Sequence, residues 1–421
     1  MSLKISIILS LFALCFLFYG TILTVNAQSD LQTTKYRNMV IDLGNGIETN
    51  ARLNLPANGS GPYPGVLLVP GSGKTDMNET AGYLRIDNKT GSLIYPDARP
   101  FHNIAQYLSE RGFAVLQYDK RGIGKNITVL DNKMWANVTV NKLIQDAQKA
   151  LDVLVKQPEV DSQKITLIGH SEGTTIVPRI AINNPDKVDN IVLMGTLAQN
   201  LLEIGKHQIM TPARYAQEVL DTDHDGLISL QKASEDPVFN SLSKDLYPLL
   251  TQYNTAYRNG TLDRNETQYD VNNDTFIDID NELKPKLQDK FQSMSVMTKG
   301  ERCDFLKGPC PIWINSQYSL TPNLDIIGKV PSDISILILQ GENDTDTPIE
   351  QAFLLQQKLT ELKHPDHTLM TYPNLGHLFY PSSKWITNLG GPIEPKVLED
   401  LYQWISSPVR DFKEFTILKQ H

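Results

Sequence analysis

Cysteine is scarce in this chain, with three in 421 residues, at Cys15, Cys303 and Cys310. Cys15 sits in the apolar N-terminal run without the preceding small residues that a lipoprotein signal needs, so lipidation there is not expected. The other two are close in sequence with Gly308 and Pro309 between them, and in an oxidising compartment they are expected to close a small disulfide loop. Positive charge is also in short supply. Lys and Arg number 39 against 48 Asp and Glu, a net charge of −9, and no basic stripe occurs anywhere. That balance excludes a nucleic-acid partner and fits an acidic soluble enzyme. The third shortage is local: residues 197–330 hold no convincing strand signal, over a stretch far longer than an ordinary crossover.

The N-terminus supplies a lone Lys4, an apolar run over residues 5–25 and the small-residue site Val25-Asn26-Ala27. This is a secretory signal, expected to be cut after Ala27. The competing reading is an uncleaved membrane anchor, since the run is long enough to span a bilayer. Sequons at Asn58, Asn78, Asn88, Asn126, Asn137, Asn259, Asn265, Asn273 and Asn343 exceed the roughly three that chance would supply. They agree with an exported, glycosylated chain, secreted or anchored on the outer face of the membrane.

Strand patterns occur at residues 36–42 and 47–55, joined by Gly44-Asn45-Gly46, and then at 65–69, 114–118, 165–168, 191–194, 334–339 and 368–372. The middle ones are continuous apolar runs, as parallel strands covered on both faces require. Helical patterns at 100–111, 141–156, 174–183, 348–362 and 395–406 fill the gaps. The alternation predicts an α/β class, a doubly wound, mostly parallel sheet. The expected organisation is a signal peptide at 1–27, a core at 28–196, a mainly helical lid insertion at 197–333 and the rest of the core at 334–421.

Residues 165–173 read ITLIGHSEG, and Gly169-His170-Ser171-Glu172-Gly173 fits the G-x-S-x-G nucleophile elbow, a strand-to-helix turn with the serine at its tip. Bulk two residues before or after the serine would crowd that turn, while the helix N-terminus behind it favours developing negative charge. Ser171 is therefore the candidate nucleophile. Its orienting acid should follow the strand at 334–339, where QGENDTDTP offers Asp344, with Asp346 and Glu342 as rivals. Its base should follow the last strand, which points to His377. His364 and His367 precede that strand and read as surface histidines, and His102 as a surface or packing residue. One oxyanion donor is the backbone N–H of Glu172. The other is expected in Val69-Pro70-Gly71-Ser72-Gly73, with Ser72 the first choice and Gly73 the second.

VLLVPGSG (66–73), YDKRGIGKN (118–126), ITLIGHSEG (165–173), LILQGENDTDTP (337–348) and YPNLGHLF (372–379) resemble, in matching order, secreted α/β-hydrolases of the esterase and serine-aminopeptidase-like group. The resemblance covers residues 63–195 and 334–404. It implies the α/β-hydrolase fold, with Ser171 as nucleophile, Asp344 as acid and His377 as base. It makes Asp119-Lys120-Arg121-Gly122 a structural packing turn. The chain departs from that group by carrying Pro70 before Gly71, where many members have histidine.

Within the insertion, residues 221–229 follow D-x-D-x-D-G-x-I-S, the opening of an EF-hand loop, with Asp221, Asp223 and Asp225 as oxygen ligands. Its twelfth position is Lys232 instead of a bidentate Glu. A second copy over 270–278 offers Asp270, Asn272, Asp274 and Asp278, with Thr275 for glycine and Glu282 one place late. Ile228 and Ile277 stand where paired EF-hand loops share a short β-bridge. The expectation is a structural calcium of modest affinity, and no cofactor for catalysis. The leading function is a secreted serine hydrolase cleaving carboxylic esters of small molecules through an acyl-enzyme. The alternatives are a peptidase or amidase acting on short peptides, and a non-catalytic, calcium-dependent binding protein on the same fold. A membrane partner enters only if the N-terminal segment stays uncleaved.

Overall fold

The computed structural model describes residues 34–82, 85–86, 93–94, 97–239, 242–243, 270–272, 274–297, 311–385 and 391–407. The expected signal segment, the Cys303–Cys310 pair and the sequons at Asn88, Asn259, Asn265 and Asn273 lie outside them.

Eight strands form the central sheet: β1 (Thr34–Gly44), β2 (Ile47–Pro56), β3 (Tyr63–Val69), β4 (Ala114–Tyr118), β5 (Val160–His170), β6 (Asn190–Met194), β7 (Ser335–Gly341) and β8 (His367–Tyr372). Their order is β1-β2-β4-β3-β5-β6-β7-β8. Only β2 runs against its neighbours; every other pairing is parallel. This is the α/β-hydrolase arrangement. Strand β5 begins five residues before the expected 165, because Val160 and Asp161 pair with Tyr63 and Pro64 before a bulge ahead of Ile165. A polar start of that kind carries no apolar signal to read.

Alternation along the parallel strands sends side chains to two cores. Leu67, Leu167, Ile336 and Ile338 face one side, where they meet α2 (Val140–Leu154), α3 (Gly173–Asn183) and α7 (Ile349–Glu361). Val66, Leu68, Leu337 and Leu339 face the other, against α1 (Pro100–Ser109) and α8 (Pro395–Ser406). Helix α2 shows the cause. Thr139 caps its first turn by accepting from Lys142 N, and Val140, Leu143, Ala147, Ala150, Leu151 and Leu154 form one buried stripe.

Between β6 and β7 the chain builds α4 (Leu201–Ile209), α5 (Lys284–Met297) and α6 (Pro311–Tyr318). It has a small apolar core of its own, including Tyr215, Leu220, Ile228, Phe239, Ile277, Leu283 and Leu287. Two three-residue strands, Leu227–Ser229 and Phe276–Asp278, pair antiparallel with Ile228 opposite Ile277. Helices α4 and α6 stand over the C-terminal ends of the parallel strands, where loops from successive strands converge.

Candidate active site

Ser171 occupies the turn between β5 and α3 with φ of +52°, a left-handed conformation that a residue with a Cβ enters only at a cost. Packing enforces it. A Cβ on Gly169 would lie 2.4 Å from the Gly173 carbonyl oxygen, and one on Gly173 would lie 2.2 Å from that of Val69. The turn is wedged between its own helix and the end of β3, so both flanking positions need glycine.

Asp344 and His377 come from the loops after β7 and β8. His377 Nδ1 donates to Asp344 Oδ2 at 2.8 Å, with both groups buried. Asp344 is held from the other side as well. Its Oδ1 accepts the N–H groups of Asp346 (2.9 Å) and Thr347 (2.8 Å), and its Oδ2 accepts Thr347 Oγ1 (2.7 Å) and Gln340 Nε2 (3.0 Å). Burial alone would raise the Asp344 pKa, but His377 and these donors outweigh it and hold the carboxyl below its ordinary value. Burial likewise opposes a charged His377, yet the Asp344 carboxylate beside it, with Asp346 and Glu79, raises its pKa to about 9. Ser171 and His377 line the same cavity without a hydrogen bond between them, the loose arrangement common before a substrate closes a site.

The rivals fall elsewhere. Glu342 is exposed and accepts from Thr371 Oγ1 at 2.9 Å. Asp346 is exposed on the cavity wall, where partial desolvation, with the Asp344 charge, raises its pKa. His102 is exposed and His367 half-buried, but His364 is buried between the end of α7 and β8 and is not a surface residue. A histidine flanked by Lys363 and Pro365 gives no apolar pattern that would reveal this.

The cavity measures about 560 Å³ and is bounded by Leu201, Ile204 and Ile209 of α4, Trp313 and Ile314 of α6, and Leu378. Of the expected oxyanion donors, Glu172 and Ser72 border it, whereas Gly73 is not among its lining residues. Among the described residues neither the Glu172 nor the Ser72 N–H is committed to an internal hydrogen bond. The N–H of Gly71 is, donating to Glu79 Oε1 at 2.6 Å.

Four polar groups around the site have roles that the sequence did not reveal. Glu79, also at positive φ, accepts from His170 Nδ1 (2.9 Å), and the His170 ring packs on His377 with centroids 4.6 Å apart. His170 Nε2 meets the His377 carbonyl oxygen at 2.9 Å. Gln340 and Thr347 brace the acid. His170 lies inside the elbow motif and Thr347 inside the acid loop, so position was visible while role was not. The turn after β4 divides: Asp119 accepts from Met77 N and Arg121 pairs with buried Asp146, as a packing motif should, but Lys120 reaches the elbow.

In the insertion, Asp221, Asp223 and Asp225 bring one carboxylate oxygen each within 4.8 Å of the others, an oxygen set that suits a hard cation. Asp221 also accepts the N–H groups of Asp225 and Gly226. The Lys232 ammonium, from the twelfth position, donates to the Leu220 carbonyl at 2.6 Å. The second loop is closed differently. Asp270 accepts Asp274 N and Thr275 N, and Glu282 accepts Val271 N (3.0 Å), Asn272 N (3.1 Å) and Asp278 N (2.9 Å). Asn272 Nδ2 donates to Asp274 Oδ2, and Asp278 caps the following turn through Asn281. Asp221 and Asp270 hold their loops alike, and Asp225 and Asp274 each accept the N–H two residues on, so the difference between the loops is Glu282, whose carboxylate is spent on three backbone N–H groups of the second.

Comparison with known proteins agrees with the fold and with a hydrolase. Residues 97–232 match the Hydrolase_4 family, described as serine aminopeptidase, S33. The chain is 34% identical over 152 residues to the esterase EstD of Thermotoga maritima, covering 36% of this chain and 31% of that one. It is 26% identical over 168 residues to the esterase FrsA of Serratia proteamaculans, covering 39% and 32%. The chain thus spans about a third of the length of the curated relatives it matches. Among solved structures it superposes on Est1E from Butyrivibrio proteoclasticus with a TM-score of 0.44 and 15% identity, covering 88% of this chain and 97% of that one. The chain is similar to an α/β-hydrolase, esterase-like group.

Proposed function

We propose that this protein is a serine hydrolase that cleaves carboxylic esters through an acyl-enzyme. The observation that carries the reading is His377, held through Nδ1 by Asp344 beside a serine in a strained turn. Ser171 Oγ attacks the ester carbonyl while His377 Nε2 takes its proton. Asp344 fixes the ring with Nδ1 protonated and stabilises the imidazolium. The oxyanion forms between the N–H groups of Glu172 and Ser72. His377 then returns the proton to the leaving alcohol, and water repeats the sequence on the acyl-enzyme. The largely apolar cavity suits the acyl or alcohol portion of a small ester.

A peptidase or amidase is the second reading, supported by Asp346. Its carboxylate at the cavity wall is placed to receive a free α-amino group. A fluorophosphonate probe should label Ser171, which a non-catalytic binding protein would not allow. Hydrolysis of p-nitrophenyl esters but not aminoacyl anilides would favour the esterase; the opposite preference would favour the peptidase. The proposal extends to secretion through the N-terminal segment and to calcium in the loop of Asp221, Asp223 and Asp225. Exposed Asn58 and Asn126 are described sequons open to a glycan, whereas the Asn137 and Asn343 amides are spent on the Lys133 and Ser382 carbonyls.

A further inference from the structure

The hydrolase reading leaves one buried cation without a task. Lys120, in the turn after β4, is 2% exposed. Its ammonium donates to the Gly71 carbonyl, lies 3.5 Å from the Gly73 carbonyl, and meets Glu172 Oε2 at 2.6 Å. The two carbonyls belong to the loop after β3, and the carboxylate belongs to the elbow. One ammonium therefore joins the two segments that would supply the oxyanion donors.

We propose that Lys120 is the positioning residue of the oxyanion hole; the inference rests on the hydrolase reading of the same site. A trans peptide unit is planar, so the Gly71 carbonyl and the Ser72 N–H point in opposite directions. Whatever holds the Gly71 oxygen aims the Ser72 N–H. Lys120 holds it, with help from Thr75 Oγ1 at 3.3 Å. The Gly71 N–H is already tied to Glu79 Oε1, which fixes the preceding peptide unit and removes that donor from contention. On the elbow side, Lys120 grips the side chain of Glu172, whose own backbone supplies the other donor. Donors aimed before the reaction begins stabilise the oxyanion without reorganisation. Glu172 Oε1 also accepts from Trp313 Nε1 (2.7 Å) and from Gln317 Nε2. Helix α6 of the insertion is thus tied to the same residue.

The competing explanation is that Lys120 only neutralises a buried carboxylate. Lys120→Met alone would strand the Glu172 charge and could unfold the protein for that reason. The deciding protein is the full chain with Lys120→Met and Glu172→Gln together, which removes both charges and leaves an oxygen for Trp313. Turnover of a p-nitrophenyl ester is measured per active site, with sites counted by complete fluorophosphonate labelling, alongside affinity for a boronic acid that mimics the tetrahedral intermediate. Loss of an aimed donor is expected to lower kcat about 100-fold, leave KM within a few-fold, and weaken boronate binding in parallel. Wild-type turnover per site in the double variant, with loss confined to melting temperature, would overturn the inference. A native chain that neither labels nor turns over would instead overturn the hydrolase reading itself.

Discussion

The sheet edge and the insertion each gather acidic side chains, and they satisfy them in opposite ways. At the sheet edge Asp344 is buried, and five donors from its own chain surround it. In the insertion Asp223 and Asp225 are exposed and crowd against Asp221. The first carboxylate is balanced by folding, so it can orient an imidazole without outside help. The second group repels itself, and a cation would relieve that repulsion. The two insertion loops repeat the contrast. Glu282 closes the second with backbone donors, whereas the twelfth position of the first offers an ammonium, Lys232, that turns to a carbonyl.

The strongest test of the sheet-edge half is Ser171→Ala. It should lower kcat/KM by about 10³-fold or more while the melting temperature is retained, because nucleophile and base act as one unit. Activity near that of the native chain would end the reading. Asp344→Asn comes next, with a loss of about 10²- to 10⁴-fold, since the ring loses its orienting anion. Asp346→Asn should cost less than about tenfold, as its carboxylate makes no hydrogen bond to the ring. Equal losses would mean that both carboxylates serve His377.

The pH profile sharpens that ranking. Only neutral His377 can act as base, and its pKa is raised to about 9, so kcat/KM should rise with pH until near that value. Removing the Asp344 anion destabilises the imidazolium and lowers the His377 pKa. The rising limb should therefore move to lower pH in Asp344→Asn, and by less in Asp346→Asn. A limb that stays in place would show that the Asp344 charge does not set the titration.

The insertion half calls for smaller effects. If the first loop takes calcium, the ion should stabilise the insertion by about 2.7 kcal/mol at a hundredfold excess over its Kd. Calorimetry should then show a chelator lowering the melting transition, and Asp223→Ala should erase the difference. Identical curves with and without millimolar calcium would make the loop self-sufficient like the second. Glu282→Ala should lower stability by about 1–3 kcal/mol whether or not calcium is present, because three backbone N–H groups lose their acceptor. A calcium-dependent loss there would reverse the contrast between the loops.

Much of this contrast was legible in one dimension. The apolar runs ending at 168, 339 and 372 mark where strands stop, and the loops after them hold Ser171, the rival carboxylates Glu342, Asp344 and Asp346, and His377. The facing isoleucines of the two loops, Ile228 and Ile277, do pair. The braces around these groups were not legible. Glu79 follows a loop with no periodic pattern, and Lys120 stands in a turn that reads as packing. His364 looks like a surface residue and is buried.

The sequence by itself determined the strand and helix alternation, the strained turn at Ser171 and the order of the three polar groups. Each depends on neighbours a few residues away: side-chain period, glycine spacing, the distance from a strand end. Only the tertiary structure decided which carboxylate meets His377, that His170 leans on Glu79, and that Lys120 binds carbonyls 49 and 47 residues before it and a carboxylate 52 residues after it. The reason is desolvation. A polar side chain removed from water must find its partner inside the protein, and that partner is chosen by proximity in the folded chain rather than along it.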